Sequence, residues 1–364
     1  MCRAPAPGMG VTMSFLSDLF SQAQCEVIPH APERFAISEE SCIRRTVTSR
    51  TIRLFDPDQL REAFGGGQVE HRLLEPGSFN AHLLRIDTAA FALEIIRHSL
   101  PVAITGEWPA GRIVLAFGLN LPEGAVALGQ SHYTGALALF DGTTGIDARL
   151  PAGTEWAILI LDRERFETEA RKRGGETALG RSSAGCPLRV DDPEARRLGD
   201  LLHAVADSPA LTSHLLQIPG AASVFEQQIL GAYIMAFATA QMPLQNGRGS
   251  LHRRYRLVRK AERYVFAHLD ESVRMGRLSR EVGASPRSLE YAFRAVYGMG
   301  AMQYLRTVRL NEVRKALLRP ADSALTTVTA TAMDWGFWHL GEFSAAYRRL
   351  FGEVPSETLR CRCQ

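Results

Sequence analysis

Arg287, Glu290, Tyr291 and Arg294 stand at i, i+3, i+4 and i+7, a spacing that places all four side chains on one face of a helix. The chemistry these residues offer is the reading of base edges. A guanidinium bonds O6 and N7 of guanine together, and a carboxylate accepts from the exocyclic amine of cytosine. Arg287 is the best guanine candidate, Glu290 the cytosine candidate, and Ser288 belongs to the same candidate set. At an offset of 54 residues the equivalent positions hold Gly341, Ser344, Ala345 and Arg348, preceded by His339 and Leu340. Three small side chains reach few base edges. The second set is therefore expected to position the chain through phosphates more than it specifies sequence, with His339 and Arg348 as its backbone or base contacts.

The elements that must carry these residues form a repeat. Leu289, Phe293, Arg294, Val296, Tyr297, Gly298, Leu305 and Arg306 line up with Phe343, Tyr347, Arg348, Leu350, Phe351, Gly352, Leu359 and Arg360. Each copy is led by a turn glycine, Gly283 or Gly336, followed by an amphipathic helix that stops at Gly298 or Gly352. Ser285 is placed as N-cap of the first helix, with Pro286 at the first helical position, where its missing N–H costs nothing. Leu289, Phe293 and Val296 make the core stripe, and Phe293, Trp335, Phe337, Phe343, Tyr347 and Phe351 fall at core spacing. Trp338 lies beside the second turn. Two short helices bent around a turn, the second with a basic outer side, is the sequence form of a helix-turn-helix reader of DNA. Between the copies, Met302 to Leu318 is a 17-residue amphipathic pattern without Gly or Pro. As a helix it spans roughly 25 Å, the scale of a rigid spacer between readers in successive major grooves about 34 Å apart. Arg309, on this spacer, suits an internal salt bridge as well as an outward contact.

Residues from about 255 to 360 resemble the DNA-binding domain of the AraC/XylS family of bacterial transcription regulators. The second copy carries the family signature as WGFWHLGEFSAAYRRLFGEVPS, from Trp335 to Ser356. The segment GFWHLGEFS is also similar to a subgroup that includes regulators of ethanolamine use. One position departs from the pattern: the family usually has proline three residues after the glycine of the first copy, where this chain has Ala301, whereas Pro355 keeps the pattern in the second copy.

Charge distribution points the same way. From His252 to Arg360 there are 19 Lys plus Arg against 11 Asp plus Glu, a balance of +8, while the whole chain carries only +3. Basic charge concentrated on one region is the footprint of a phosphate-backbone binder, or else a solvated basic face. Hydrophobic content of 46% and charged content of 22% over 364 residues belong to an ordinary globular protein with room for two domains and a connector. Cysteines at 2, 25, 42, 186, 361 and 363 show neither CxxC spacing nor a disulfide framework. The apolar patch from Phe15 to Phe20 lacks a long uncharged core, and no run reaches membrane-span length. A reduced cytoplasmic protein with no membrane association is the simplest reading.

Residues from about 40 to 165 read as short strands: RTVTSRTIRLF, SFNAHLLRI, FALEIIR, RIVLAFGL, GALALF and EWAILIL, broken by the turns Glu75-Pro76-Gly77, Pro109-Ala110-Gly111 and Pro151-Ala152-Gly153. That pattern implies an antiparallel sandwich or barrel. The resemblance adds that this part is a cupin-like jelly roll receiving an effector. From Asp191 to Ala240 the pattern turns helical, with Leu198, Leu201, Leu202 and Val205 on one face and Phe225, Ile229, Tyr233, Ile234 and Phe237 on another. These faces suit packing within the domain or a dimer interface, and the resemblance favours a homodimer. QMPLQNGRGS, from Gln241 to Ser250, is the expected hinge.

The expected fold is therefore α+β: an N-terminal segment over 1–39, a cupin-like antiparallel β domain over 40–190 and a helical connector over 191–240. A linker over 241–254 then leads to an all-α domain with two helix-turn-helix motifs over 255–360. Expected partners are double-stranded DNA, RNA polymerase, a small-molecule effector and a second copy of the chain. No cofactor motif is present. His71, His82, His98 and His132 lack metal-ligand spacing, Gly65-Gly66-Gly67 lacks the residues of a phosphate loop, and Cys186 has no evident base. Arg44, Arg45, Arg50, Arg85 and Arg97 would suit an anion only if they converge. Two function classes remain: a ligand-responsive transcription regulator, and an enzyme or metal-binding cupin fused to a DNA-binding domain. The first is the better supported because its motif is present in the residues.

Overall fold

The computed structural model describes residues 47–54, 56–63, 68–173, 185–242, 248–268, 273–319 and 327–361. The strands are β1 (Thr48–Leu54), β2 (Gln68–Leu73), β3 (Ala81–Asp87), β4 (Ala92–His98), β5 (Val102–Glu107) and β6 (Arg112–Asn120), then β7 (Val126–Ala127), β8 (Gln130–Ser131), β9 (Ala136–Asp141), β10 (Ile146–Leu150), β11 (Glu155–Asp162) and β12 (Pro187–Arg189). They form a seven-stranded sheet in the order β1-β3-β4-β11-β6-β9-β12 and a five-stranded sheet in the order β2-β5-β10-β7-β8. Neighbouring strands pair antiparallel throughout.

The two sheets face each other across a core that includes Val69, Leu83, Ile96, Val102, Ile104, Val114, Phe140, Ile146, Trp156 and Ile158. On the far side of the larger sheet, Leu84, Ile86, Leu93, Leu115, Phe117, Leu137 and Leu159 pack under helices α2 (Arg163–Lys172), α3 (Asp192–Asp207) and α5 (Ala221–Thr239). A short α1 (Pro57–Ala63) precedes β2, and α4 (Pro209–Leu215) joins α3 to α5. Because the larger sheet is covered on both faces, its central strands are buried almost without interruption, Ile113–Leu119 in β6 and Trp156–Leu161 in β11. A strand of this kind reads as a continuous apolar run. Both apolar faces noted between Asp191 and Ala240 lie in this one core: Leu198, Leu201, Leu202 and Val205 with Phe225, Ile229, Tyr233, Ile234 and Phe237. Those side chains pack within the chain.

The six segments expected as strands all belong to the larger sheet. The five-stranded sheet was not anticipated, for a physical reason. Its inner positions are apolar, but its outer positions include Glu70, Arg72, Asp147 and Arg149, which face the helical C-terminal half beside a small apolar contact at Leu74 and Ala103. His71 and His98 belong to the buried interior; burial pushes their imidazoles down to about 3 and about 4, so both are neutral. Burial likewise pushes His132 down to about 4, while His82 is exposed. Among the described residues no three His, Cys, Asp or Glu side chains group as a metal site. The N-terminal arginines do not converge: Arg85 pairs with Asp87 and Glu94, Arg50 also reaches Asp87, and Arg97 is exposed. Cys186 is buried and free. Arg44, Arg45, Gly65-Gly66-Gly67 and the Phe15–Phe20 patch lie outside the described residues.

The C-terminal half comprises α6 (Arg248–Phe266), α7 (Met275–Val282), α8 (Pro286–Tyr297), α9 (Ala301–Leu318), α10 (Val328–Asp334), α11 (Leu340–Phe351) and α12 (Pro355–Cys361). Helix α6 begins inside the stretch expected to be a hinge, of which residues 243–247 lie outside the described residues. Ahead of it, Gln241 and Arg189 exchange backbone hydrogen bonds at 2.8 Å.

The spacer helix α9 docks on β2, the edge strand of the smaller sheet. Asn311 accepts from Leu73 N at 2.9 Å and donates to Leu73 O at 3.0 Å, so one carboxamide occupies both outward backbone groups of that residue. Around it Arg72 pairs with Glu312 at 2.7 Å, Lys315 with Glu70, and Arg314 with Asp56, Asp58 and Glu353. Asn311 is 8% exposed. Replacing Asn311 with Ala is expected to destabilise the chain by about 2–4 kcal/mol, since a buried N–H and a buried C=O both lose their partner. Denaturant unfolding measures this, and an unchanged midpoint would show that the edge does not need the carboxamide.

Candidate DNA interface

Both readers are built as their sequences require. Gly283 at φ 72° ends α7, and Gly336 at φ 76° occupies the equivalent turn after α10. This left-handed conformation is open to glycine at little cost. Helix α8 starts at Ser285, whose Oγ accepts from Ser288 N at 3.1 Å. Leu289, Phe293 and Val296 are buried beneath it. In the second reader Thr327 caps α10 by accepting from Ala330 N at 3.1 Å, but His339, at the N-cap of α11, makes no side-chain cap. Phe343 and Tyr347 are fully buried, and Trp335, Phe337 and Phe351 pack partly buried against the same cluster. Trp338 is 55% exposed.

On α8, Arg287, Ser288, Tyr291 and Arg294 all face outward. Glu290 does not join them. One carboxylate oxygen accepts from Ala301 N at 3.0 Å, and the other takes Arg294 at 3.2 Å. Ala301 is the first residue of α9, whose leading amides have no partner inside the helix. The N–H that proline would lack at this position is thus capped by Glu290. Glu290, expected as a cytosine contact, is thus engaged within the chain, with 34% of its side chain exposed. A residue that sequence reading missed joins the first face: the Arg254 guanidinium lies 4.4 Å from the centre of the Tyr291 ring. Its position on α6, distant in sequence, left no local pattern to find.

On α11, His339, Gly341, Ala345 and Arg348 are exposed, whereas Leu340 and Ser344 are half-buried, Leu340 against the core. A side chain built at Gly341 would meet no atom within 4 Å. The two reading faces therefore differ in content, with two arginines and a tyrosine on the first and one arginine on the second.

The first reader is tied to the smaller sheet at its C-terminal end. Tyr297 donates to Asp147 at 3.4 Å and to Glu262 at 3.3 Å, Tyr304 donates to Glu262 at 2.6 Å, and the two rings stack at 3.9 Å. Tyr255 donates to Asp147 at 3.2 Å, and Arg259 lies 2.8 Å from both carboxylates. Two buried carboxylates share one guanidinium. Burial, with repulsion from Glu262 adding to it and attraction to Arg259 opposing it, pushes the Asp147 carboxyl up to about 6. Beside the cluster, Gly298 ends α8 at φ 75°, and the Arg149 guanidinium lies 2.7 Å from where a Cβ would stand. The left-handed backbone there favours glycine, and any side chain would also have to displace the Arg149 guanidinium.

Arg309 makes no internal salt bridge among the described residues. It is half-buried on α9, and its Nε has no hydrogen-bond partner.

Residues 278–360 match the sequence model of a helix-turn-helix domain. The chain is 32% identical over 215 residues to a probable thc operon regulatory protein of Rhodococcus erythropolis, covering 58% of this chain and 62% of that protein. It is 36% identical over 97 residues to a XylDLEGF operon transcriptional activator of Pseudomonas putida, covering 27% of this chain and 30% of that one. The chain thus spans less than two thirds of either curated relative. Among solved structures, a probable AraC family transcriptional regulator from Rhodopseudomonas palustris is 36% identical, with 97% of that chain and 29% of this one aligned at a TM-score of 0.27. No helix among the described residues is long and apolar enough to cross a membrane. With its paired helix-turn-helix motifs and its signature from Trp335 to Ser356, the segment over 278–360 is a helix-turn-helix domain similar to that of AraC/XylS-type regulatory proteins.

Proposed function

We propose that this chain is a sequence-specific DNA-binding transcription regulator that acts as an activator under the control of a small effector. The observation that carries the reading is the pair of outward helix faces, α8 and α11, each following a left-handed glycine turn, with the helix α9 between the two motifs in sequence. In this reading residues 255–360 are the DNA-binding unit, 40–190 the effector domain, 191–240 a connector and 241–254 a linker. Arg287, Ser288, Tyr291, Arg294 and Arg254 contact one major groove. His339, Gly341, Ala345 and Arg348 approach the next, with Leu340 and Ser344 at the margin. Homodimerisation and contact with RNA polymerase in the cytoplasm complete the proposal. Any dimer seam must use residues other than those already packed under the larger sheet. The smaller sheet holds both α8 and α9, so an effector that binds docked and undocked states with different affinity shifts the readers between them.

Selection of duplexes from a randomised pool by the full chain tests DNA reading, and enrichment of no motif would refute it. Arg287→Ala is expected to cost about 1–3 kcal/mol on the preferred site and to relax preference at one base position. Arg348→Ala should weaken binding evenly across sequences. Glu290→Ala should lower thermal stability while changing base preference less than Arg287→Ala does, because its carboxylate caps α9. A new base preference on loss of Glu290 comparable to that from Arg287→Ala would return the residue to the reading face.

The Asp147 cluster makes the docked state dependent on pH. Asp147 has its docked pKa raised from 3.8 to about 6. Its favourable contribution is therefore complete below the unperturbed value and is lost as pH rises through about 6, with a slope no steeper than about 1.4 kcal/mol per pH unit. Arg259, Glu262, Tyr255 and Tyr297 face the same carboxyl. Hydrogen exchange at α8 and β10 should show tighter docking at pH 5 than at pH 7.5, and Asp147→Asn should flatten that difference. An equal dependence in the variant would place the titrating group elsewhere.

A further inference from the structure

One cation on the first reading face comes from outside the reader. Arg254 stands on α6, half-buried, and its guanidinium lies over the Tyr291 ring of α8, 4.4 Å from the centre. Tyr291 is 59% exposed, so its ring is a platform at the surface and not a core side chain. The Arg254 guanidinium makes no hydrogen bond and no ion pair among the described residues, whereas Arg294 on the same face is tied to Glu290 at 3.2 Å. A ring contact consumes no donor, so all five N–H groups of Arg254 remain for a partner. The helix that carries it is fixed from behind. Val258 and Ala261 are buried in the core that also holds Leu289 and Phe293, and Tyr255 donates to Asp147 at 3.2 Å. Arg254 is therefore placed before a duplex arrives, and holding it there costs less than ordering a loose side chain on binding.

A guanidinium so placed can serve a base edge or a phosphate, and two observations decide between them. The first is size. A major groove about 12 Å wide admits one helix of about 10–12 Å diameter, so with α8 inside, the helix packed against it stays at the rim, where the backbone runs. The second is charge. From Arg248 to Ala261 the chain has six Arg or Lys and no Asp or Glu, and Arg253 and Arg256, on either side of Arg254 in sequence, are exposed. Positive charge along a helix that flanks the reader matches a line of phosphates, whose contacts set position, while base edges are left to side chains that emerge from α8 itself, Arg287 among them. We propose that Arg254, seated on Tyr291, clamps a phosphate at the rim of the first half-site, and that Tyr291 is a positioning residue for that contact. This clamp rests on the DNA-reading function proposed above and makes α6 a third element against the duplex.

The test measures the affinity of the full chain for its selected duplex, and for duplexes altered one base pair at a time, across a fourfold range of salt concentration. Thermal midpoints establish that each variant is folded. Arg254→Ala is expected to weaken binding to every duplex by the same factor and to remove one phosphate contact from the salt dependence. The affinity lost across that salt range then shrinks by about three- to fourfold. Arg254→Lys should keep the salt dependence, since a phosphate accepts a point charge, whereas a bidentate base contact would not survive the change. Arg254→Ala should cost the same factor in the Tyr291→Phe background as in the unaltered chain, because phenylalanine keeps the ring face. In the Tyr291→Leu background it should cost about two- to fivefold less, the factor a surface cation–ring contact contributes. Loss of preference at one base position on Arg254→Ala would make Arg254 a base reader and overturn the proposal, and so would an unchanged salt dependence, which takes Arg254 off the duplex. Equal costs in the phenylalanine and leucine backgrounds would overturn the role of Tyr291. If the unaltered chain selects a motif and Arg254→Ala binds as it does, the clamp fails and DNA reading stands; if the unaltered chain selects none, both fail.

Discussion

A helix laid along an unpaired sheet edge is the contact on which the rest of the arrangement turns. An open edge strand offers a row of backbone donors and acceptors that invites pairing with another chain, and covering it is one way folded proteins remove that hazard. Here the cover is the spacer helix α9, and Asn311 supplies the hydrogen bonds that a neighbouring strand would have made to Leu73. The flanking ion pairs, Arg72 with Glu312 and Lys315 with Glu70, surround that seam with charge. Buried pairs of this kind add little net stability compared with an apolar seam, but separating them without new partners is costly. The result is a joint in which this polar seam sets register beside apolar contacts, such as Leu74 and Ala103 clustering with Val258 and Ala261. Because α9 also connects the two readers, the same joint positions them both.

The two faces of the β sandwich contrast with each other. The larger sheet is sealed by helices α2, α3 and α5 through aliphatic and aromatic packing, such as Phe166 edge-on to Phe237 at 5.4 Å. The smaller sheet meets the DNA-binding half through carboxylates, guanidiniums and tyrosine hydroxyls around Asp147 and Glu262. The first face is built to stay closed. At the second, each half carries polar groups that water can satisfy once the halves part, which is the property a reversible contact requires.

That contrast also explains what could be read from the chain alone. Strands β6, β9 and β11 were legible because both their faces meet hydrocarbon, which leaves unbroken apolar runs. Strands β2 and β10 were not, because Glu70, Arg72, Asp147 and Arg149 interrupt them, and the partners that Glu70, Arg72 and Asp147 find in the helical half, Lys315, Glu312 and Arg259, lie more than a hundred positions away in sequence. The readers were legible because their rules are local: a left-handed glycine, a capping serine, a stripe at helical spacing. Glu290 shows where local rules stop. Its position on the outer stripe of α8 predicted a base contact, but the next helix begins with an alanine whose N–H needs an acceptor, and Glu290 is within reach. Arg254 shows the converse, a residue brought to the reading face only by the packing of α6 on α8.

The empty space around Gly341 bears on how such a regulator changes over time. Most positions on a recognition helix are constrained from behind by packing, so a new reading residue usually demands compensating changes in the core. Gly341 sits in the first turn of α11, exposed, with nothing near the point where a side chain would emerge. A first-position base change turns a glycine codon of the GGN set into an arginine codon, so a long hydrogen-bonding side chain is one mutational step away and needs no repacking. Under the proposed reading, one substitution at this position adds a hydrogen-bonding side chain to the second face without disturbing the core behind it.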